Sequence, residues 1–165
     1  MDTPDTASET SALQHHECVG AAAVDMLGAT CGVQLEPRED DEALNTDGVI
    51  IAIISLLGDV DWSVFLGLPR DTAVGLAAKF AGFEIPFDSP DMGDAIGELT
   101  NILAGEVKNR LDKRGLHAEI SLPGVIRAES PCVLNQHNIE AVKMCFASPV
   151  GPLWTGVIAQ KRDKQ

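Results

Sequence analysis

The sequence predicts an α+β fold: a mainly antiparallel sheet packed against one long helix and shorter helices. Three observations carry that prediction. Helical and strand-like segments are grouped rather than strictly alternating, which argues against a parallel βαβ architecture. The last third of the chain alternates apolar and polar residues between Pro- and Gly-containing turns. At 165 residues, a single domain with a substantial core is the default.

Composition narrows the possible partners. The chain carries 25 acidic against 12 basic residues, a formal charge of −13. Such a surface has no electrostatic reason to approach nucleic acid or anionic lipid, so neither is an expected partner. The longest apolar run, Val49 to Leu57, is strand-length, well short of the ~20 residues a membrane helix needs. The N-terminus, Met1-Asp-Thr-Pro-Asp-Thr, lacks the basic and apolar regions of a signal peptide, and a cytoplasmic location is expected. Cys18, Cys31, Cys132 and Cys145 form no C-x-x-C pair, so buried free thiols are expected rather than a zinc or redox site.

The elements follow in order. Residues 1–11 have almost nothing to bury and read as a disordered tail, leaving 12–165 as the folded domain. Ala12 to Thr30 is helical, with Val19, Ala22, Ala23, Met26 and Leu27 at three- and four-residue spacing. Glu36 to Asn45 is charged, contains Pro37 and reads as a loop, with room for a short edge strand before it. Val49 to Leu57 is β-branched and apolar on both faces, the pattern of a doubly covered central strand. Gly58 to Asp61 makes a turn and Trp62 to Leu68 returns. Asp71 is placed to cap a short helix ending at Ala81, with Gly82 as its stop. Ser89 caps the long helix, Pro90 takes its first position, and Gly115 stops it after Arg114. His117–Leu122, Val125–Glu129, Ala141–Ser148 and Leu153–Gln160 are the remaining candidate strands.

The long helix is where chemistry is expected. With Asp94 at zero and 100° per residue, Met92, Ile96, Leu99, Leu103 and Val107 gather on the opposite side as a core stripe. Asp94, Glu98, Asn101 and Gly105 fall within about 60° of one another on the outward side. That side is poor in helix formers: Gly97, Asn101 and Gly105 each cost roughly 0.5–1 kcal/mol relative to alanine. Two readings fit. One is a solvated face with incidental glycines. The other is a docking face, where small residues admit a partner's backbone and Glu98 and Asn101 project into it. Periodicity alone does not choose.

The residues themselves carry a resemblance. Asp94-Ala-Ile-Gly-Glu98-Leu-Thr-Asn101-Ile-Leu-Ala-Gly105, with twenty-one residues between Asn101 and Pro123, resembles the CheC/CheX/FliY signature. That signature reads Asp or Ser, three residues, Glu, two residues, Asn, about twenty-two residues, then Pro. The order of elements agrees over roughly residues 12–160. CheC-type members carry a second Glu-x-x-Asn in the first helix; here Glu17-Cys-Val-Gly20 has glycine instead, so one intact site resembles CheX. FliY carries a further motor-switch domain, for which this length leaves no room.

The resemblance implies a phosphatase acting on the aspartyl phosphate of a CheY-like response regulator. It implies Asn101 orienting the attacking water and Glu98 anchoring a lysine of the receiver, with Asp94, Gly97 and Gly105 at the partner contact. No cofactor of its own is expected, Mg2+ belonging to the receiver's phosphorylation site. It also implies a homodimer, which the apolar Ala141–Phe146 edge permits. Pro123 is expected to shape a turn near the site. The alternatives are a non-catalytic receiver-binding adaptor and a structural dimerisation module. His15-His16 and the Asp91, Asp94, Glu98 group are weaker cation candidates, since adjacent helix residues diverge by about 100° and acids near a helix start have a simpler explanation. Arg110, Lys113 and Arg114 read as helix-end solvation, the alternative being a rim contact with an acidic receiver.

Overall fold

The computed structural model describes residues 6–39, 47–129 and 136–160, with side chains from His15 onward. Ten elements alternate in blocks: α1 (Thr6–Cys31), β1 (Glu36–Arg38), β2 (Val49–Gly58), β3 (Asp61–Pro69), α2 (Arg70–Ala81), α3 (Pro90–Asp112), β4 (Ala118–Ile120), β5 (Gly124–Ala128), β6 (Ile139–Ala147) and β7 (Leu153–Gln160). The strands form one antiparallel sheet in the order β1-β6-β7-β3-β2-β4, with β5 also on β2. The expected α+β class is the observed one. Cys132 and most of the loop expected to reach Asn45 lie outside the described residues.

All three helices sit on one face of the sheet. The core they share with it contains Leu27, Ile54, Leu56, Leu66, Leu76, Leu99 and Leu103 among its fully buried side chains. Each such leucine contributes about 1.5–3 kcal/mol through removal from water. Among the described residues the other face carries no helix. There Val49, Phe65 and Trp154 form a separate apolar cluster, with Ile51, Ile53, Cys145 and Ile158 packed beside them. The expectation that helices or strands cover both faces of β2 is therefore corrected. Phe65 opposes Gly156 and Trp154 opposes Gly67 across the β3–β7 ladder. Each ring lies flat where its partner's Cβ would be, so both aromatics are 5% exposed without a second layer.

Several boundaries shift for local reasons. Helix α1 begins at Thr6, ahead of the expected Ala12, because extending an existing helix needs no new nucleus. Strand β1 lies inside the stretch read as a loop; Pro37 suits an edge, where no ladder donor is required. The apolar end of β6 is not outermost, since β1 pairs with Cys145 to Ala147. Asp71 does not cap α2: Pro69 occupies that position in extended conformation, and Asp71 sits in the first turn. Gly82 does end α2, at φ +84°, donating its N–H to the Ala78 carbonyl.

Candidate functional site

Helix α3 is positioned from both ends. Ser89 is its extended N-cap residue (φ −85°, ψ 152°) and Pro90 its first helical residue. The Ser89 hydroxyl does not bond into the helix; it donates to the Pro86 carbonyl at 2.8 Å, tightening the approach turn. Beyond Asp112 the chain reverses through Gly115 at φ +75°, and the Leu116 N–H returns to the Leu111 carbonyl at 3.0 Å. The predicted stripe of Met92, Ile96, Leu99, Leu103 and Val107 is fully buried against the sheet. That burial fixes the helix's rotation, and so decides what its outer side presents.

The outer side presents Asp94 and Glu98 exposed, and Asn101 and Gly105 half-buried. Glu98 and Asn101 stand about 4.5 Å apart along the axis, on one side of the helix. Nothing lies within 4 Å of where a Cβ at Gly105 would be. Gly97 differs from the expectation. It is buried, and its missing Cβ faces Pro123 at 3.8 Å and Val125 at 3.7 Å. It accommodates the chain's own edge strand, which covers it. Asp94 is five residues into α3, beyond the first turn where the helix dipole acts most, and Asp91 occupies that turn instead.

The edge beside α3 is built from β4 and β5, both paired with β2. Leu56 pairs with Ile120 and Ile53 with Gly124. Two residues of β2 thus face three on the other side, Ser121, Leu122 and Pro123, which makes a bulge. Ser121 pins it: its N–H donates to the Ser55 carbonyl and its hydroxyl accepts from the Ser55 N–H, both at 2.9 Å. Farther along, the Lys108 ammonium donates to the Ala118 carbonyl, tying α3 to β4. The strand expected over His117–Leu122 is regular only to Ile120, and the kink follows it. Its one legible signal was the Leu-Pro-Gly run at 122–124.

Arg110 is not helix-end solvation. It pairs with Asp25 of α1 and with Glu106 one turn back, joining the two helices. Cys18 and Cys31 are buried and unoxidised, and burial pushes both thiols up from their ordinary value. Both side chains pack in the core as small apolar residues. Among the described residues no three His, Cys, Asp or Glu side chains converge as a metal set, Asp91, Asp94 and Glu98 included. No helix among them is long and apolar enough to cross a membrane.

A seven-stranded antiparallel sheet, helices on one face, and an outward Glu-x-x-Asn on the third helix define a CheC-like domain. Solved structures share this architecture. CheX from Desulfovibrio desulfuricans is 17% identical with a TM-score of 0.71, over 87% of this chain and 97% of that one. The CheX–CheY–BeF3–Mg2+ complex from Borrelia burgdorferi matches at 23% identity and TM-score 0.67, over 88% and 97%. FliY from Thermotoga maritima matches at 16% and 0.61, over 97% and 92%. The family described as chemotaxis phosphatase CheX matches residues 50–146, and the chain belongs to that family. No curated protein matches the chain.

Proposed function

We propose that residues 12–165 form one phosphatase domain that hydrolyses the aspartyl phosphate of a CheY-like receiver. One observation carries this reading: Glu98 and Asn101 stand one turn apart on the outward side of a helix locked by its buried stripe. An acyl phosphate is already activated, so the chain need not supply a nucleophile. A water oxygen bonds to phosphorus while the bond from phosphorus to the aspartyl oxygen breaks. The products are inorganic phosphate and the free carboxylate, and the water's proton leaves with the phosphate or to solvent.

What remains to be supplied is alignment of that water. The Asn101 carboxamide suits the task because it donates and accepts at once. A carboxylate aimed at phosphate would repel it, so Glu98 belongs with a cation: the lysine of the receiver's pocket, in a charge-assisted bond that sets register. Asp94, Gly105 and Pro123 border the contact. Mg2+ in the receiver's own site offsets charge on the phosphoryl oxygens. The Borrelia CheX, solved with CheY, BeF3 and Mg2+, supports this choice of partner. The reading places the chain in the cytoplasm, where response regulators act, and takes it as a homodimer, a state that light scattering reports directly.

The test is single-turnover phosphate release from receivers of the same organism, phosphorylated with acetyl phosphate, over a range of phosphatase concentrations. Acceleration that saturates with the wild-type chain and disappears with Asn101→Ala supports the mechanism. Full activity in Asn101→Ala would replace it with the adaptor reading.

A further inference from the structure

Leu122 is 91% exposed, more than any other large apolar side chain described. Exposure of a single leucine is ordinary by itself. Its place is not. Lys108 of α3 is bonded to Ala118, and Gly97 of α3 abuts Pro123. Eleven helical residues span about 16–17 Å, and five strand residues span the same length. The edge therefore runs alongside α3 in the opposite direction, with both ends of the stretch tied to the helix. Leu122, one step before Pro123, comes level with the stretch from Glu98 to Asn101.

The kink that turns Leu122 outward is built rather than loose. Ser121 takes both Ser55 backbone bonds and donates its hydroxyl to the Leu122 carbonyl at 3.0 Å. Pro123 fixes the next φ and is seated against Gly97. The leucine is thus held by bonded neighbours on a fixed stretch of the edge that flanks α3. A protein domain that brings a phosphoryl group to Asn101 buries roughly 800 Å2 of this surface, a patch wide enough to include Leu122.

We propose that Leu122 is the apolar docking contact for the receiver and a determinant of which receiver is accepted. This rests on the phosphatase reading and adds to it a contact outside the Glu-x-x-Asn helix. Glu98 supplies register through charge, whereas Leu122 supplies affinity through burial, so receivers with an apolar depression at that point are preferred.

The experiment compares wild type, Leu122→Ser and Leu122→Met in the single-turnover assay, with titration of each receiver in its beryllofluoride and Mg2+ form. Leu122→Ser is expected to raise the half-saturating concentration and the Kd about 10-fold, with maximal rate within twofold of wild type. Leu122→Met should stay within about twofold on both. Unfolding midpoints of the variants should match wild type, since the side chain touches no core. An unchanged half-saturating concentration in Leu122→Ser overturns the proposal and leaves the phosphatase reading standing. So does a lower maximal rate at unchanged half-saturation, which assigns the residue to alignment instead. A wild-type chain that accelerates phosphate loss from none of the receivers overturns both.

Discussion

Helices α1 and α3 lie side by side on the same sheet face, and each carries an exposed glutamate with a small or amide residue three positions later. In α3 the pair is Glu98 and Asn101, with Asn101 turned to the surface. In α1 it is Glu17 and Gly20, and Gly20 is buried: its Cβ would meet the Met144 sulfur at 2.8 Å and the Phe146 ring at 3.8 Å. The residue three positions after the glutamate therefore faces the sheet in α1 and the outer side in α3. Position 20 points into β6, and glycine there lets α1 settle against the sheet. Gly105 on α3 shows the opposite case, with open space where its Cβ would be. One residue type serves close packing inside and access outside, and only the neighbours distinguish the two.

The largest expected effect breaks the comparison at its active end. Asn101→Ala should reduce the maximal single-turnover rate on the order of 10²–10³-fold, by analogy with the loss of a positioned oxyanion donor. Its half-saturating receiver concentration should barely change, because the lost interaction belongs to the transition state. Next, Gly20→Asn should destabilise the fold by about 1–3 kcal/mol through overpacking against Met144, read as a lower urea midpoint at constant m-value. It should add no activity, and the Gly20→Asn, Asn101→Ala double variant should remain inactive. Recovery of turnover in that double variant would mean α1 holds a latent site after all.

Glu98→Gln should raise the half-saturating concentration about 10-fold, with a smaller effect on maximal rate, because an anchoring ion pair forms before hydrolysis. A drop confined to the maximal rate would move Glu98 from anchor to catalyst. The smallest effect sharpens the contrast between the glycines. Gly105→Ala should stabilise α3 by about 0.5–1 kcal/mol in thermal melts, since the site is open and helical. Gly105→Leu should keep the fold cooperative and weaken receiver docking in titration. Unchanged affinity there would remove that stretch from the interface.

How much of this was legible beforehand follows from what each feature depends on. The core stripe of α3, its Ser-Pro start and the outward Glu98 and Asn101 depend on spacing within one helix, and spacing is written in the sequence. The Asp71 cap depends on where the preceding strand lets go; β3 continues to Pro69, which leaves the cap position to proline. Gly97 projected outward by angle, yet is covered because the edge strand passes over it. A helical wheel carries no information about the chain twenty-odd residues ahead.

The sequence by itself determined the class of fold, the helix that bears the signature, and the side of that helix facing away from the core. Local periodicity and end signals suffice for these, because hydrophobic burial acts on one element at a time in choosing which side goes inward. The tertiary structure alone decided that the described helices cover one face of the sheet, with Phe65 and Trp154 laid over facing glycines on the other. It alone decided that Gly20 and Gly97 are packing contacts and Gly105 is open, and that a bulge in the edge beside α3 leaves Leu122 exposed. Each of these depends on strand register, a relation between distant segments in which a one-residue slip would turn the same side chains to the opposite face.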